Sequence, residues 1–222
     1  MSPGLAAMTD LAAADGPFAK ASRMLETMAG VHLTAKRVER SAEASGAAKA
    51  AAVRDRVKAI TARALVPLPP SPLPDELCAC IDGTGVPVTA KETAGRDDKG
   101  AADRARTRQV KLAVFFTQDK LDNKEYPVRH PGFSSYIATF EPAHVFAGLV
   151  EAEGIGRGAR HVRQFTILGD RAARIWGIAG AKFPEAIQIV DLFHAREHLH
   201  DLGKLLAFML GDQHTSPPGL AG

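Results

Sequence analysis

The sequence predicts an α/β domain built on a mixed sheet, preceded by a helical region. Three observations carry the prediction. Residues 1–64 are rich in Ala, Lys and Arg and hold no β-branched runs. Val66-Pro67-Leu68-Pro69-Pro70-Ser71-Pro72-Leu73-Pro74 then sets five prolines in nine residues. Each proline lacks an N–H and fixes φ, so the stretch is extended and not helical. After it, short apolar runs alternate with helical stretches in the order βββαβαβα, the pattern of an α/β fold. A chain of 222 residues has room for one or two domains with a buried core. The expected organisation is a helical region over 1–64, a Pro-rich linker over 65–75 and an α/β domain over 76–222.

In the first zone, Phe18, Ala21, Met24, Leu25 and Met28 recur on one helical face, and Gly30 stops that helix. Thr34 is placed to cap a second helix, with Leu33 and Val38 at the positions of a hydrophobic staple. A helix, a short turn with Gly and a basic helix give the outline of a helix-turn-helix. Residues 35–63 hold Lys36, Arg37, Arg40, Lys49, Arg54, Arg56, Lys58 and Arg63 against Glu39, Glu43 and Asp55. This local excess is larger than the net +3 of the whole chain. Such a face suits phosphate contacts, with Lys36, Arg37 and Arg40 as the DNA-binding candidates. A solvated helical pair that merely packs on its neighbour is the plainer reading of the same residues. The Ala-rich stretch 42–52 is the one low-complexity region, and no repeat is visible.

In the second zone, Leu77–Ile81, Val110–Phe116 and Tyr136–Phe140 read as strands. Lys91–Arg108 and Asp119–Pro131 are charged and read as loops. A helix follows from Pro142 to Glu151, closed by Gly154. Phe165–Leu168 is the next strand, with a helix over 172–182 behind it. Ala186–Val190 is the last strand. The final helix runs from about Ala195 to Leu210, with Leu199, Leu202, Leu205, Leu206 and Met209 on one face.

Composition excludes several classes. No stretch approaches the roughly 20 apolar residues of a membrane span. Met1–Asp10 lacks the basic and apolar regions of a signal peptide. The only cysteines, Cys78 and Cys80, stand on alternate residues of one strand, so no disulfide framework is available and a reducing cytoplasm is expected.

Three apolar runs end alike: Leu77–Ile81 before Asp82, Phe165–Leu168 before Gly169-Asp170, and Ala186–Val190 before Asp191. Sites in α/β sheets form beyond the carboxyl ends of strands. Two carboxylates on neighbouring tips repel unless a cation lies between them, and oxygen ligands favour Mg²⁺ or Mn²⁺. Two such ions about 4 Å apart activate a water or 3′-hydroxyl and stabilise the leaving oxygen of a phosphodiester. Acids after strands are also ordinary loop starters and helix caps. Asp82 and Asp170, each with a glycine neighbour, are the stronger pair. Ile81-Asp82-Gly83-Thr84-Gly85 is not a phosphate-cradling loop of the Walker kind, since no Gly-Lys-Ser/Thr follows.

His194-Ala195-Arg196-Glu197-His198 formally matches the His-x-x-Glu-His zinc-protease pattern. No obvious third ligand follows it, and polar residues solvating a helix start explain His198 and His200 more simply.

Taken together, Ile81-Asp82-Gly83-Thr84-Gly85-Val86-Pro87, Val110–Thr117, Thr166-Ile167-Leu168-Gly169-Asp170 and Ile189–Leu199 resemble the catalytic region of bacterial insertion-sequence transposases of the ISKra type. The resemblance covers about Asp10 to Gly211, with four motifs in order. It implies an RNase H-like mixed sheet and an Asp-Asp-Glu metal triad, with Asp82 as first acid and Asp170 as second, both binding Mg²⁺ or Mn²⁺. It places Asp191 and His194 in an Asp-x-x-His signature, as supporting residues. It further implies double-stranded DNA at element ends as partner, a homo-oligomer, no membrane association, and a nucleoid-associated place in the cytoplasm.

The departures from the family matter too. Arg171 follows Asp170 where Gly is usual, and Arg174-Ile175-Trp176-Gly177 replaces a Trp-Ile-Trp-Asn-like run. The Cys-rich N-terminal segment common in the family is missing. The third acid is expected downstream of the Asp-x-x-His segment, whereas His214–Gly222 reads as a loop-like tail and neither Glu185 nor Glu197 stands in the expected place. The resulting expectation is a truncated, catalytically impaired transposase. The alternatives are a non-catalytic DNA-binding or inhibitory fragment, a nuclease of the same fold that cleaves without joining, and, as an outsider, a zinc protease.

Overall fold

A computed structural model describes residues 1–89, 91–93, 107–118, 120–170 and 172–209. It divides into two compact units, Met1–Leu65 and Val66–Gly222. The Pro-rich stretch goes with the second, where Leu73, Pro69 and Pro70 lie against Gly158.

The first unit is three helices, α1 (Pro3–Ala14), α2 (Phe18–Ala29) and α3 (Ala35–Thr61). Ser2 caps α1 by accepting from the N–H of Leu5, and Pro3 sits at its first position, where a missing N–H costs nothing. Gly30 ends α2 in the left-handed region at φ 63°, and its N–H donates to the carbonyl of Glu26. Thr34 caps α3 by accepting from Arg37 N. Leu33 and Val38, the two ends of the staple, are both buried beside Ala12, Ala21 and Leu25. The expected face of α2 is only partly used. Ala21 and Leu25 are buried, whereas Met28 is 80% exposed and, with Met8, Leu11 and Met24, borders an open apolar groove between α1 and α2.

The second unit is a mixed α/β domain with a five-stranded sheet. The elements are β1 (Glu76–Pro87), β2 (Thr107–Phe116), a small hairpin β3 (Lys120–Leu121) and β4 (Pro127–Val128), β5 (Ser135–Thr139), α4 (Ala143–Gly156), β6 (Gln164–Gly169), α5 (Ala173–Lys182), β7 (Ile187–Val190) and α6 (Leu192–Met209). The sheet order is β5-β2-β1-β6-β7. β1 pairs antiparallel with β2, and β2 with β5, while β6 runs parallel to both β1 and β7. The main elements follow the predicted order. The hairpin β3–β4 falls where a loop was expected. Asp122 Oδ1 accepts from the N–H groups of Lys124 and Tyr126, and this local turn is what brings the two short strands together.

Strand alternation divides the sheet into two faces. Leu77, Ala79 and Ile81 of β1, Ala113 and Phe115 of β2, and Phe165 and Ile167 of β6 point to one face. There they meet Phe146 and Val150 of α4 and Ile175, Ile178 and Ala179 of α5. Phe165 stacks near Phe115 and meets Phe183 edge-on, with ring centroids 5.0 Å apart in the second pair. Cys78, Cys80 and Asp82 point to the opposite face, where Tyr136, Ile187 and Ile189 are exposed. Both cysteines are free.

One expectation needs correction. Asp82 does not stand at the tip of a strand, because β1 continues through Asp82-Gly83-Thr84-Gly85-Val86 to Pro87. Pairing with β2 carries it on, through Asp82↔Leu112, Thr84↔Val110 and Val86↔Arg108. Two glycines and an acid are poor strand formers, and the partner strand overrides their preference.

Candidate active site

The register of the three parallel strands sets the geometry. Ile81 pairs with Gly169, and Gly169 pairs with Val190. One residue further along each strand stand Asp82, Asp170 and Asp191. Adjacent strands lie about 4.8 Å apart, so this step sets three carboxyl-bearing residues side by side where β6 and β7 stop. Asp191 is tied to that line by its own N–H, which donates to the carbonyl of Gly169 at 2.8 Å.

Each carboxylate is held locally through Oδ1. Asp82 Oδ1 accepts from Gly83 N at 2.6 Å, Asp170 Oδ1 from Ala172 N at 2.7 Å, and Asp191 Oδ1 from Phe193 N at 2.8 Å. The second oxygen of Asp191 meets His194 Nδ1 at 3.3 Å. Asp170 and Asp191 thus act as turn residues leading toward α5 and α6 as well as candidate ligands.

The electrostatics place these groups in one neighbourhood. His194 is raised above the ordinary imidazole value, first by its hydrogen bond to Asp191, then also by the negative charges of Asp191, Asp82 and Asp170, against the opposing effect of desolvation. Asp191 is lowered below the usual carboxylate range, first by the N–H of Phe193 and then by His194. The Cys80 thiol is raised, mainly by burial and then by Asp82 and Asp191. It is a poor thiolate and a poor metal ligand in that state.

Glycines make the approach of the elements possible. A Cβ on Gly169 would lie 2.7 Å from Ile175 Cγ2, so only glycine lets α5 settle against β6 immediately before Asp170. In the sequence Gly169 stands out only as the glycine neighbour of Asp170.

Asp82 and Asp170 offer hard oxygen donors, the chemistry that Mg²⁺ takes through one or two carboxylates plus substrate phosphates. Among the described residues no group of three or more His, Cys, Asp or Glu closes to hold a metal ion. Asp82 and Asp170 are therefore a two-carboxylate site at most within that set, with Asp191 engaged by His194. Arg171, expected to stand beside Asp170, and the tail His214–Gly222 lie outside the described residues. Glu197 and His198 lie on α6, and the zinc-protease pattern gathers no metal-holding group there among the described residues.

The basic candidates lie in the first unit. Lys36 is paired with Glu39 at 2.8 Å, and Lys49 with Asp10 of α1 at 3.1 Å. Arg37 and Arg40 are exposed on α3 and take no ion pair among the described residues. No helix among the described residues is long and apolar enough to cross a membrane. No family model matches the chain, and no curated protein matches it.

Proposed function

We propose that the chain is a transposase-type protein that binds double-stranded DNA and holds a divalent cation, Mg²⁺ or Mn²⁺, between Asp82 and Asp170 of an RNase H-like sheet. The single observation that carries the reading is the alignment of Asp82, Asp170 and Asp191 across β1, β6 and β7. The strand order β5-β2-β1-β6-β7, antiparallel in its first three strands and parallel in the rest, fits an RNase H-like architecture. The sequence resemblance to ISKra-type transposases points the same way.

When bound, the cation supplies positive charge to the non-bridging oxygen and leaving oxygen of a phosphodiester. The remaining work belongs to the chain. Asp82 is fixed by its place in a paired strand, and Asp170 by its turn into α5. Asp191 holds His194 through Nδ1, which leaves Nε2 available for a substrate contact. Arg37 and Arg40 supply phosphate contacts on duplex DNA. Among the described residues two carboxylates stand where the resemblance implies three ligands, and on this reading phosphodiester chemistry is weak.

Mn²⁺ titration of the full chain, followed by electron paramagnetic resonance, tests the metal reading. One bound ion is expected, lost in both Asp82→Asn and Asp170→Asn. Equal binding by wild type and both variants would sink it. In parallel, strand transfer from labelled element-end DNA with Mg²⁺ is expected to be absent. Robust transfer would show that a third ligand is in place. A second reading, a DNA-binding protein without chemistry, is favoured by the lack of a three-ligand group among the described residues. Salt-sensitive duplex binding with no Mn²⁺ site would establish it.

A further inference from the structure

On the side of β1 opposite Asp82, two donor-bearing side chains, those of Arg174 and Gln109, converge over Gly83. A Cβ built on Gly83 would lie 2.7 Å from Arg174 Nη2, 3.3 Å from the side-chain amide nitrogen of Gln109 and 3.4 Å from the carbonyl oxygen of Val110. Lys111 is the cross-strand partner of Gly83 and shares its face. Arg174, half-buried in the first turn of α5, takes no ion pair and no side-chain hydrogen bond among the described residues. The Gln109 amide has none either, whereas Lys111 Nζ donates to the carbonyl of Glu141 at 2.8 Å. No Arg174 nitrogen is among the buried unpartnered atoms, so its donors stay open to water and available to an incoming acceptor.

We infer that Arg174 and Gln109, over the bare backbone of Gly83, form a phosphate subsite that grips the sugar–phosphate backbone of a nucleic acid strand crossing the end of the sheet. Guanidinium geometry matches two phosphate oxygens at once, and the amide adds a third donor. The position suits a substrate contact. β6 ends at Gly169, so beyond Ile81 no described strand flanks β1 on that side. A backbone passing through this gap meets Asp82 on one face of β1 and Arg174 on the other. Gly83 has a definite role in this arrangement. Its φ is not positive, so a side chain placed there would meet the guanidinium and not backbone strain.

The inference names the substrate contact of the site proposed above and rests on that reading for its place in a reaction, but its test does not depend on metal or turnover. Trp176, the single tryptophan of the chain, lies two residues from Arg174 on α5 and reports locally. The full chain is titrated with a short single-stranded oligothymidylate, which avoids duplex contacts by α3, and Trp176 fluorescence is followed. Inorganic phosphate is titrated separately. A saturable change is expected with the oligonucleotide, weakened roughly tenfold in Arg174→Gln and partly restored in Arg174→Lys. Gly83→Ala weakens it as well, because the methyl group displaces the guanidinium, and far-UV circular dichroism confirms that each variant is folded. No fluorescence change in the wild type, or equal affinity in wild type, Arg174→Gln and Gly83→Ala, overturns the subsite. Phosphate alone saturating at the concentration of oligonucleotide phosphate makes it a free-anion site and overturns the strand contact. An Arg174-dependent oligonucleotide response without a Mn²⁺ site would remove the metal reading and leave the subsite standing. The converse result would remove only the subsite.

Discussion

At the scale of the residue, the pair Asp191–His194 is the most direct handle on the site. Its two members shift in the directions of a formed ion pair, the imidazole upward and the carboxylate downward. A histidine raised in the folded state contributes stability below its unfolded value and loses it as pH rises through the folded value. The interaction is therefore complete in mildly acidic solution and fades toward neutral and above. Both side chains are about 40% exposed, so the contribution is screened and small. In a ¹³C-resolved NMR titration, the His194 midpoint is expected above that of an ordinary exposed histidine, and Asp191→Asn should bring it down. An unchanged midpoint in the variant would show that Asp191 does not hold the ring. The Asp-x-x-His spacing was legible in the sequence, since the partners stand only three positions apart. The subsite around Gly83 was not, because it joins β1, β2 and α5, and no local pattern encodes that meeting.

At the scale of the element, α3 carries the DNA-binding prediction. Replacing both Arg37 and Arg40 with Ala removes two exposed cations of α3 that take no ion pair among the described residues. Duplex affinity is expected to fall at all sequences alike. The slope of log K against log salt should flatten by about 2, since each phosphate contact contributes roughly 0.9. An unaltered slope would place duplex contact elsewhere. The ends of α2 and α3 were readable in advance because caps are local: Gly30, Thr34 and the Leu33–Val38 staple each act within one helical turn. The reach of β1 was not readable. Asp82, Gly83 and Gly85 are poor strand formers, and they are extended because Thr107–Leu112 lies beside them. The hairpin β3–β4 escaped for a similar reason, its strands being only two residues each.

At the scale of the whole molecule, each unit has its own core, and the charge excess noted in the sequence resides on α3 in the first. The second unit leaves an unusual amount of apolar surface in water. Ile187, Ile189 and Val190 of the edge strand β7 are each nearly half exposed, and Leu199, Leu202, Leu205 and Phe208 of α6 are more so. The stripe on α6 was predicted from its spacing, but its burial was not a matter of spacing. Dyes that seek such surface should bind strongly. Leu199→Glu together with Leu205→Glu is expected to lower anilinonaphthalene sulfonate fluorescence severalfold, and no decrease would place the dye on another surface, such as the groove between α1 and α2.

The length of β1 has a consequence for amide exchange. Up to Ile81 the strand is bonded on both sides, to β2 and to β6. From Asp82 to Pro87 its described partner is β2 alone. Backbone N–H groups along a strand point alternately left and right, so in this stretch those facing β2 are locked while the others lack a ladder acceptor. Deuterium should enter Asp82–Val86 in a comb, every second amide slow, and only uniform protection would follow if another backbone closed the gap. Occupancy of that gap by a nucleic acid strand would slow the teeth of the comb that face it, giving a residue-by-residue footprint of whatever lies against the first carboxylate.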